Sequence, residues 1–263
     1  MPHRTSLVKR GGGDFHQAYR PCRISEVYGQ DEIKAVIKDG LDNERLPHAI
    51  LLHGESGTGK TTIARIIALG LNCERGQTSE PCCECDNCRA TIEGNSLAFL
   101  EQNSADLNGV EHMRHLRGQF NSAPLGGGEK RIYLFDESHG LRNPSQNILL
   151  KSVEDSRDHL YFIFCSTEPG GMIQTLRNRC MEFEFRALGR DVMWDLLCDV
   201  LSAEDYRPNM EVMEEIVEKV EGKPRNALHE LQRAIFAGKF KKVEVEIKKI
   251  MENVRYVLRA SAD

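Results

Sequence analysis

The chain of 263 residues predicts an α/β protein, a parallel sheet with helices on both faces followed by a small all-helical unit. Three observations carry that reading. Apolar runs at 50–53 (ILLH), 131–136 (RIYLFD) and 159–166 (HLYFIFCS) lack strict alternation and end in polar or glycine residues, the pattern of strands covered on both faces. Between them stand helical segments, TTIARIIALGLN after the first run and PSQNILLKSVED after the second, where Ile148, Leu149, Leu150 and Val153 suit packing on a sheet. From Asp191 on, DVMWDLLCDVL, MEVMEEIVEKV and PRNALHELQRAIF read as three amphipathic helices. The run MEFEF at 181–185 reads as a further strand.

Each strand end carries chemistry. The first run opens into GESGTGKT at 54–61 and then a helix, so Gly54, Glu55, Ser56, Gly57, Thr58 and Gly59 form a loop whose backbone N–H groups face a polyphosphate. The helix N-terminus behind it adds partial positive charge. Lys60 is placed to reach the β- and γ-phosphates, Thr61 to ligate Mg²⁺, and Thr62 continues the cradle. The second run ends in Asp136 and Glu137. There Asp136 suits the Mg²⁺ of a nucleotide and Glu137 suits orienting and deprotonating a water. The next run ends in Ser166 and Thr167. In parallel α/β sheets ligands sit beyond the carboxyl ends of the strands, so these groups are expected to converge.

Four cysteines form a second constellation. Cys73, Cys82, Cys85 and Cys88 follow a C-x8-C-x2-C-x2-C pattern, which places four thiolates around one tetrahedral Zn²⁺ in a closed, structural site. Cys83 offers a competing ligand, but the two C-x2-C steps select Cys82, Cys85 and Cys88. Disulfide or redox use is the lesser reading for a cytoplasmic chain. Cys22, Cys165, Cys180 and Cys198 stand apart and read as small buried apolar side chains.

The formal net charge is -5, so the chain is not a polycation that binds nucleic acid as a whole. DNA contact would be local, and the basic clusters at Arg4, Lys9, Arg10, Arg20 and Arg23 and at 239–249 read equally well as solvated ends. No apolar run reaches the roughly 18 residues of a membrane span, and the N-terminus lacks a signal-peptide core, so membrane partners are not expected and the location expected is cytoplasmic.

The residues quoted so far, with YRP, SEVYGQ, NSADLNGVEHMR, LLKSVED, CSTEP, RNRC and GKPRNAL, give the chain a resemblance to the ATPase subunits of bacterial sliding-clamp loaders. These are the γ/τ type of DNA polymerase III, within the AAA+ superfamily. The resemblance covers about residues 19–236, and the cysteine array after LNC is its most discriminating element. It implies a flexible basic arm at 1–18, an AAA+ nucleotide-binding domain at 19–186 with the zinc insertion at 73–88, a helical lid at 187–238, and a basic helix or tail at 239–263 with no full collar domain. It also implies roles: Val27 and Tyr28 flanking adenine, Thr167 as the sensor-1 group near the γ-phosphate, Arg225 as the sensor-2 arginine, and Arg179 as an arginine finger on ATP held by a neighbouring subunit. Residues 107–118 fall where such subunits approach the clamp.

The implied activity is ATP binding and hydrolysis that opens a sliding clamp and loads it on primer–template DNA during replication. DNA is gripped by its backbone, beside other loader subunits or copies of the chain. Departures are Asn178 before Arg179, Ser138 after the acid pair, and Pro224 before Arg225. The short tail implies weak assembly, a collar borrowed from a partner, or a compact variant of viral origin working in host cytoplasm. Alternative readings are an AAA+ ATPase acting on replication forks or branched DNA, or a structural subunit that hydrolyses nothing.

Overall fold

The structure is a computed structural model that describes residues 7–104, 110–120, 128–155 and 157–243. The chain divides into two compact units, one at 21–187 and one formed by 188–263 with 1–20.

The first helix, α1 (Phe15–Ala18), belongs to the smaller unit. The larger begins with a 3-10 turn, Ile24–Glu26, then α2 (Asp31–Asp42), β1 (Ala49–Gly54), α3 (Lys60–Leu71), α4 (Asp86–Glu93), β2 (Phe99–Asn103), α5 (Val110–Phe120) and β3 (Arg131–Asp136). It ends with α6 (Asn143–Glu154), β4 (Leu160–Ser166), α7 (Gln174–Arg177) and β5 (Met181–Phe185). The strands pair in the order β2-β3-β4-β1-β5, and every pairing is parallel. All seven residues of β4 are buried, because it lies inside the sheet with helices on both faces. This is why its sequence is a continuous apolar run.

One face packs Ile50 and Leu52 with Ile37, Leu41, Ile63 and Ile67 from α2 and α3. The opposite face packs Leu51, Phe135 and Phe164 with Met113, Leu116 and Leu149 from α5 and α6. Alternate residues of β1 thus serve two cores, which fixes the strand's register and with it the exit of residues 54–59 at the carboxyl edge.

The strand β2 was not foreseen. Its FLEQN sequence buries only Phe99 fully, since it ends the sheet and pairs with β3 alone, and so it carries no apolar run to read.

The smaller unit adds to α1 the helices α8 (Arg190–Ala203), α9 (Met210–Lys219) and α10 (Pro224–Phe236). Pro224 opens α10, where its missing N–H costs nothing. Residues 7–18 of the segment expected as a flexible arm, with 19 and 20 expected in the nucleotide-binding domain, group instead with these helices. Phe15, Ala18 and Tyr19 are buried, the Phe15 N–H donates to Gln232 Oε1 at 2.9 Å, and Glu204 accepts from both Lys9 Nζ and Tyr19 Oη. A charged sequence concealed this anchor, which three buried side chains and the distant partners Gln232 and Glu204 carry. Residues 244–263 of the segment 239–263 read as a basic helix or tail, and 107–109 of the clamp-approach segment 107–118, lie outside the described residues.

Candidate functional site

The loop after β1 is built by glycine conformations. Gly54, Gly57 and Gly59 have φ of 134°, 82° and 109°, a region side chains rarely tolerate. At Gly54 space forbids a side chain as well, since a Cβ there would lie 2.3 Å from the Phe185 carbonyl oxygen. Thr58 Oγ1 donates to the Glu55 carbonyl at 2.8 Å and tightens the turn. Gly59 caps α3 and Lys60 is its first residue. Lys60, a residue only 7% exposed, donates through its ammonium to the carbonyls of Gly54 and Glu55 at 2.7 and 2.8 Å. These contacts lay it across the mouth of the loop at the positive end of a twelve-residue helix.

The carboxyl ends of β3 and β4 bring the other groups in. Thr61 Oγ1 donates to Asp136 Oδ2 at 3.1 Å, so a hydroxyl and a carboxylate, the hard oxygen donors Mg²⁺ prefers, already adjoin. Glu137 turns into the left-handed region with φ 50°, a conformation worth about 1–3 kcal/mol of strain. Asp136 Oδ1 accepts the Glu137 N–H at 3.0 Å and helps hold it. Thr167 Oγ1 donates to Glu137 Oε2 at 3.3 Å. Thr61, Asp136, Glu137 and Thr167 are therefore linked by hydrogen bonds at the carboxyl edge of the sheet, where Lys60 opens α3.

Two residues not assigned a role by sequence also belong here. His139 Nδ1 lies 3.6 Å from Glu137 Oε2 and 3.3 Å from the Oγ of buried Ser166. The only signal was their position beside the acid pair and Thr167. Beneath them, fully buried Gln146 donates to the carbonyls of Leu141 and Gly171 at 2.7 and 3.0 Å and accepts the Ile173 N–H at 2.7 Å. That side chain ties the loop after Glu137 to the segment after Thr167.

The two arginines of RNRC separate. Arg177 makes two bonds to Glu182, at 3.2 and 2.9 Å, while Arg179 is exposed, donates to the Thr175 carbonyl at 2.8 Å and pairs with Glu154. Arg179 lies before β5, whose Met181 pairs with Ile50 and whose Phe185 pairs with Gly54. It therefore sits at the amino edge of the sheet, about 13 Å or more along the strand from the loop of its own chain. Val27 packs on the core and its carbonyl accepts from Lys34 Nζ at 3.0 Å; Tyr28 beside it is half-buried. Arg225 is an exposed first-turn residue of α10 in the smaller unit.

The sulfurs of Cys73, Cys82, Cys85 and Cys88 all lie within 4.8 Å of one another, with Cys82 and Cys88 at 3.9 Å. Ligands about 2.3 Å from a tetrahedral zinc stand about 3.8 Å apart, so the donor set fits that ion. Backbone N–H groups already point at the sulfurs: Cys82 N at Cys73, Glu84 N and Cys85 N at Cys82, and Cys88 N at Cys85, at 3.3–3.4 Å. Burial pushes the Cys82 thiol up, but the Glu84 and Cys85 N–H groups together with the Cys85 and Cys73 side chains outweigh it and bring it down to about 6. Cys83, the competing ligand, takes a left-handed φ of 64° and directs its sulfur to the Pro81 carbonyl. Of the four cysteines that stand apart in sequence, Cys22 and Cys165 are buried as expected, Cys22 in one cluster with Cys73, Cys82 and Cys88, whereas Cys180 and Cys198 are partly exposed.

A glycine loop leading from β1 into a helix, an acid pair at the end of β3 and a threonine after β4, the strand between them, define the class: a P-loop α/β protein. Solved structures bear out the fold. The Thermotoga maritima RuvB Holliday junction branch migration motor superposes with a TM-score of 0.59 at 20% identity, over 82% of this chain and 64% of that one; a point variant of the same RuvB gives 0.60 at 18% over the same shares. By sequence, residues 29–189 match the family described as DNA polymerase III, delta subunit. DNA polymerase III subunit tau of Escherichia coli K12 is 36% identical over 84% of this chain and 34% of its own length, and that of Bacillus subtilis 168 is 34% identical over 88% and 41%. The gamma/tau subunit of Mycobacterium tuberculosis H37Rv is 34% identical over 84% and 38%. The chain belongs to this DNA polymerase III family, and it spans about a third to two fifths of the length of the curated relatives named here. No helix among the described residues is long and apolar enough to cross a membrane.

Proposed function

We propose that the chain is an ATP-hydrolysing subunit of a DNA clamp loader, working in the cytoplasm. The observation that carries this reading is the division of the catalytic groups between the two edges of one sheet. At the carboxyl edge Lys60 and the N–H groups of 54–59 hold the phosphates, Thr61 and Asp136 hold Mg²⁺, which neutralises phosphate charge, and Glu137 takes a proton from the attacking water while Thr167 faces the γ-phosphate. Val27 and Tyr28 flank the adenine. At the amino edge, out of reach of its own loop, Arg179 serves ATP bound by a neighbouring subunit, which makes turnover depend on assembly. Arg225 reports nucleotide to the helical lid at 187–238. The four thiolates hold a structural zinc that pins the loop at 73–88, with no chemical step assigned to it.

ATP turnover thereby becomes a change in subunit arrangement around a sliding clamp and primer–template DNA, gripped by phosphate contacts rather than base sequence. The test is the steady-state ATPase rate with partner subunits, with and without a sliding clamp and primed DNA, against four-way junction DNA. Joint stimulation by clamp and primed DNA is expected. Stimulation by junctions alone, with no clamp effect, would assign the chain to branched DNA instead, and absence of ATP binding would overturn the reading.

A further inference from the structure

The geometry points to His139 as a positioning residue that holds the Glu137 carboxylate in its working direction, with Ser166 seating the ring. This rests on the assignment of Glu137 as the base.

Glu137 needs such a device. Its side chain is 48% exposed on a left-handed backbone, and a half-exposed glutamate loses rotamer freedom when fixed in one direction. Two groups meet the same oxygen, Oε2: the Thr167 hydroxyl at 3.3 Å and His139 Nδ1 at 3.6 Å. An ionised carboxylate only accepts hydrogen bonds, so Nδ1 attracts it when it carries a proton. Ser166 accommodates that arrangement: its Oγ accepts the Glu168 N–H at 3.0 Å and lies 3.3 Å from Nδ1, so its second lone pair is within reach of an Nδ1 proton shared with Glu137.

The ring has a fixed seat. Ser138, its neighbour, is fully buried and donates to the Cys165 carbonyl at 3.0 Å, and Gly171 packs so close that a Cβ there would lie 2.8 Å from the Cβ of His139. Loop and ring are thus held from β4 and from the turn after it, while the carboxylate they direct remains open to water. A base directed before the reaction begins spares that ordering in the transition state.

Asparagine places a donor close to Nδ1 and glutamine places one near Nε2, so the two substitutions separate the atoms. In the assembled ATPase, His139→Asn is expected to retain kcat within about threefold, whereas His139→Gln and His139→Leu lose about tenfold or more in kcat with KM for ATP unchanged. Equal loss in all three variants, or loss appearing in KM, would overturn the assignment. An ATP-independent cycle separates this from failure of the functional reading. Unfolding of wild type, His139→Leu, Glu137→Gln and the double variant should reveal a coupling of at least about threefold in the equilibrium constant, and additive effects would refute the contact even if the chain hydrolyses nothing.

Discussion

Replacing Gln146 by leucine removes the cross-link beneath the site while nearly preserving volume. The native amide makes three bonds of 2.7–3.0 Å, to the carbonyls of Leu141 and Gly171 and from the Ile173 N–H, in a position with no solvent exposure. Leucine restores none of them. Each buried polar group left unpaired costs about 1–3 kcal/mol, so three give about 3–5 kcal/mol after partial relaxation, a large part of the roughly 5–15 kcal/mol that holds a domain. The urea midpoint of the sheet unit should fall by more than about 1 M at a slope of about 1–3 kcal/mol per molar. Hydrogen exchange of β3 and β4 peptides localises the loss, and fluorescence of Trp194, the only tryptophan, follows the helical unit separately. Gln146→Glu adds a sign test: its carboxylate still accepts from Ile173 but opposes two carbonyls, and protonation restores one donor. Its deficit should therefore be largest at neutral pH and shrink in acid. A loss below about 1 kcal/mol for leucine would mean that the three backbone groups find other partners, and would refute the view that Gln146 joins the two loops.

Gly54→Ala, with a φ of 134° and a Cβ 2.3 Å from the Phe185 oxygen, should weaken ATP binding at least about tenfold by fluorescence titration, because the loop must open to admit the methyl. Arg179→Ala should bind ATP normally and turn over slowly, and mixing it with Lys60→Ala should restore part of the rate across subunits; no restoration would place the arginine's action within one chain. Metal analysis should find about one zinc per chain, lost in the Cys85→Ser, Cys88→Ser double variant together with protease resistance of 73–88. Burial raises the Glu204 carboxyl, but Lys9 and Tyr19 outweigh it and hold it below its ordinary 4.5. Its stabilisation is therefore present above that pH and lost as pH falls below it, and Glu204→Gln should flatten the acid limb of Trp194-detected unfolding.

Sequence made the centre of the sheet legible, because buried parallel strands are continuous apolar runs and β1, β3 and β4 have no other way to be read. The same holds for the glycine loop and the cysteine spacing, where chemistry demands particular residues within a few positions. It did not reveal β2, whose half-exposed edge position needs no apolar run, nor the docking of residues 7–20, which depends on Gln232 and Glu204, far along the chain.

Spacing along the chain states which residue types are present, and so it determined a P-loop, an acid pair and a four-thiol cluster in one α/β protein. Distance and direction between them belong to the strand order. Only the tertiary structure set Thr61 against Asp136, gathered His139, Ser166 and Thr167 around Glu137, and put Arg179 at the amino edge away from its own loop. The reason is that parallel pairing sends every strand's carboxyl end to one side, whatever the separation of those ends in sequence.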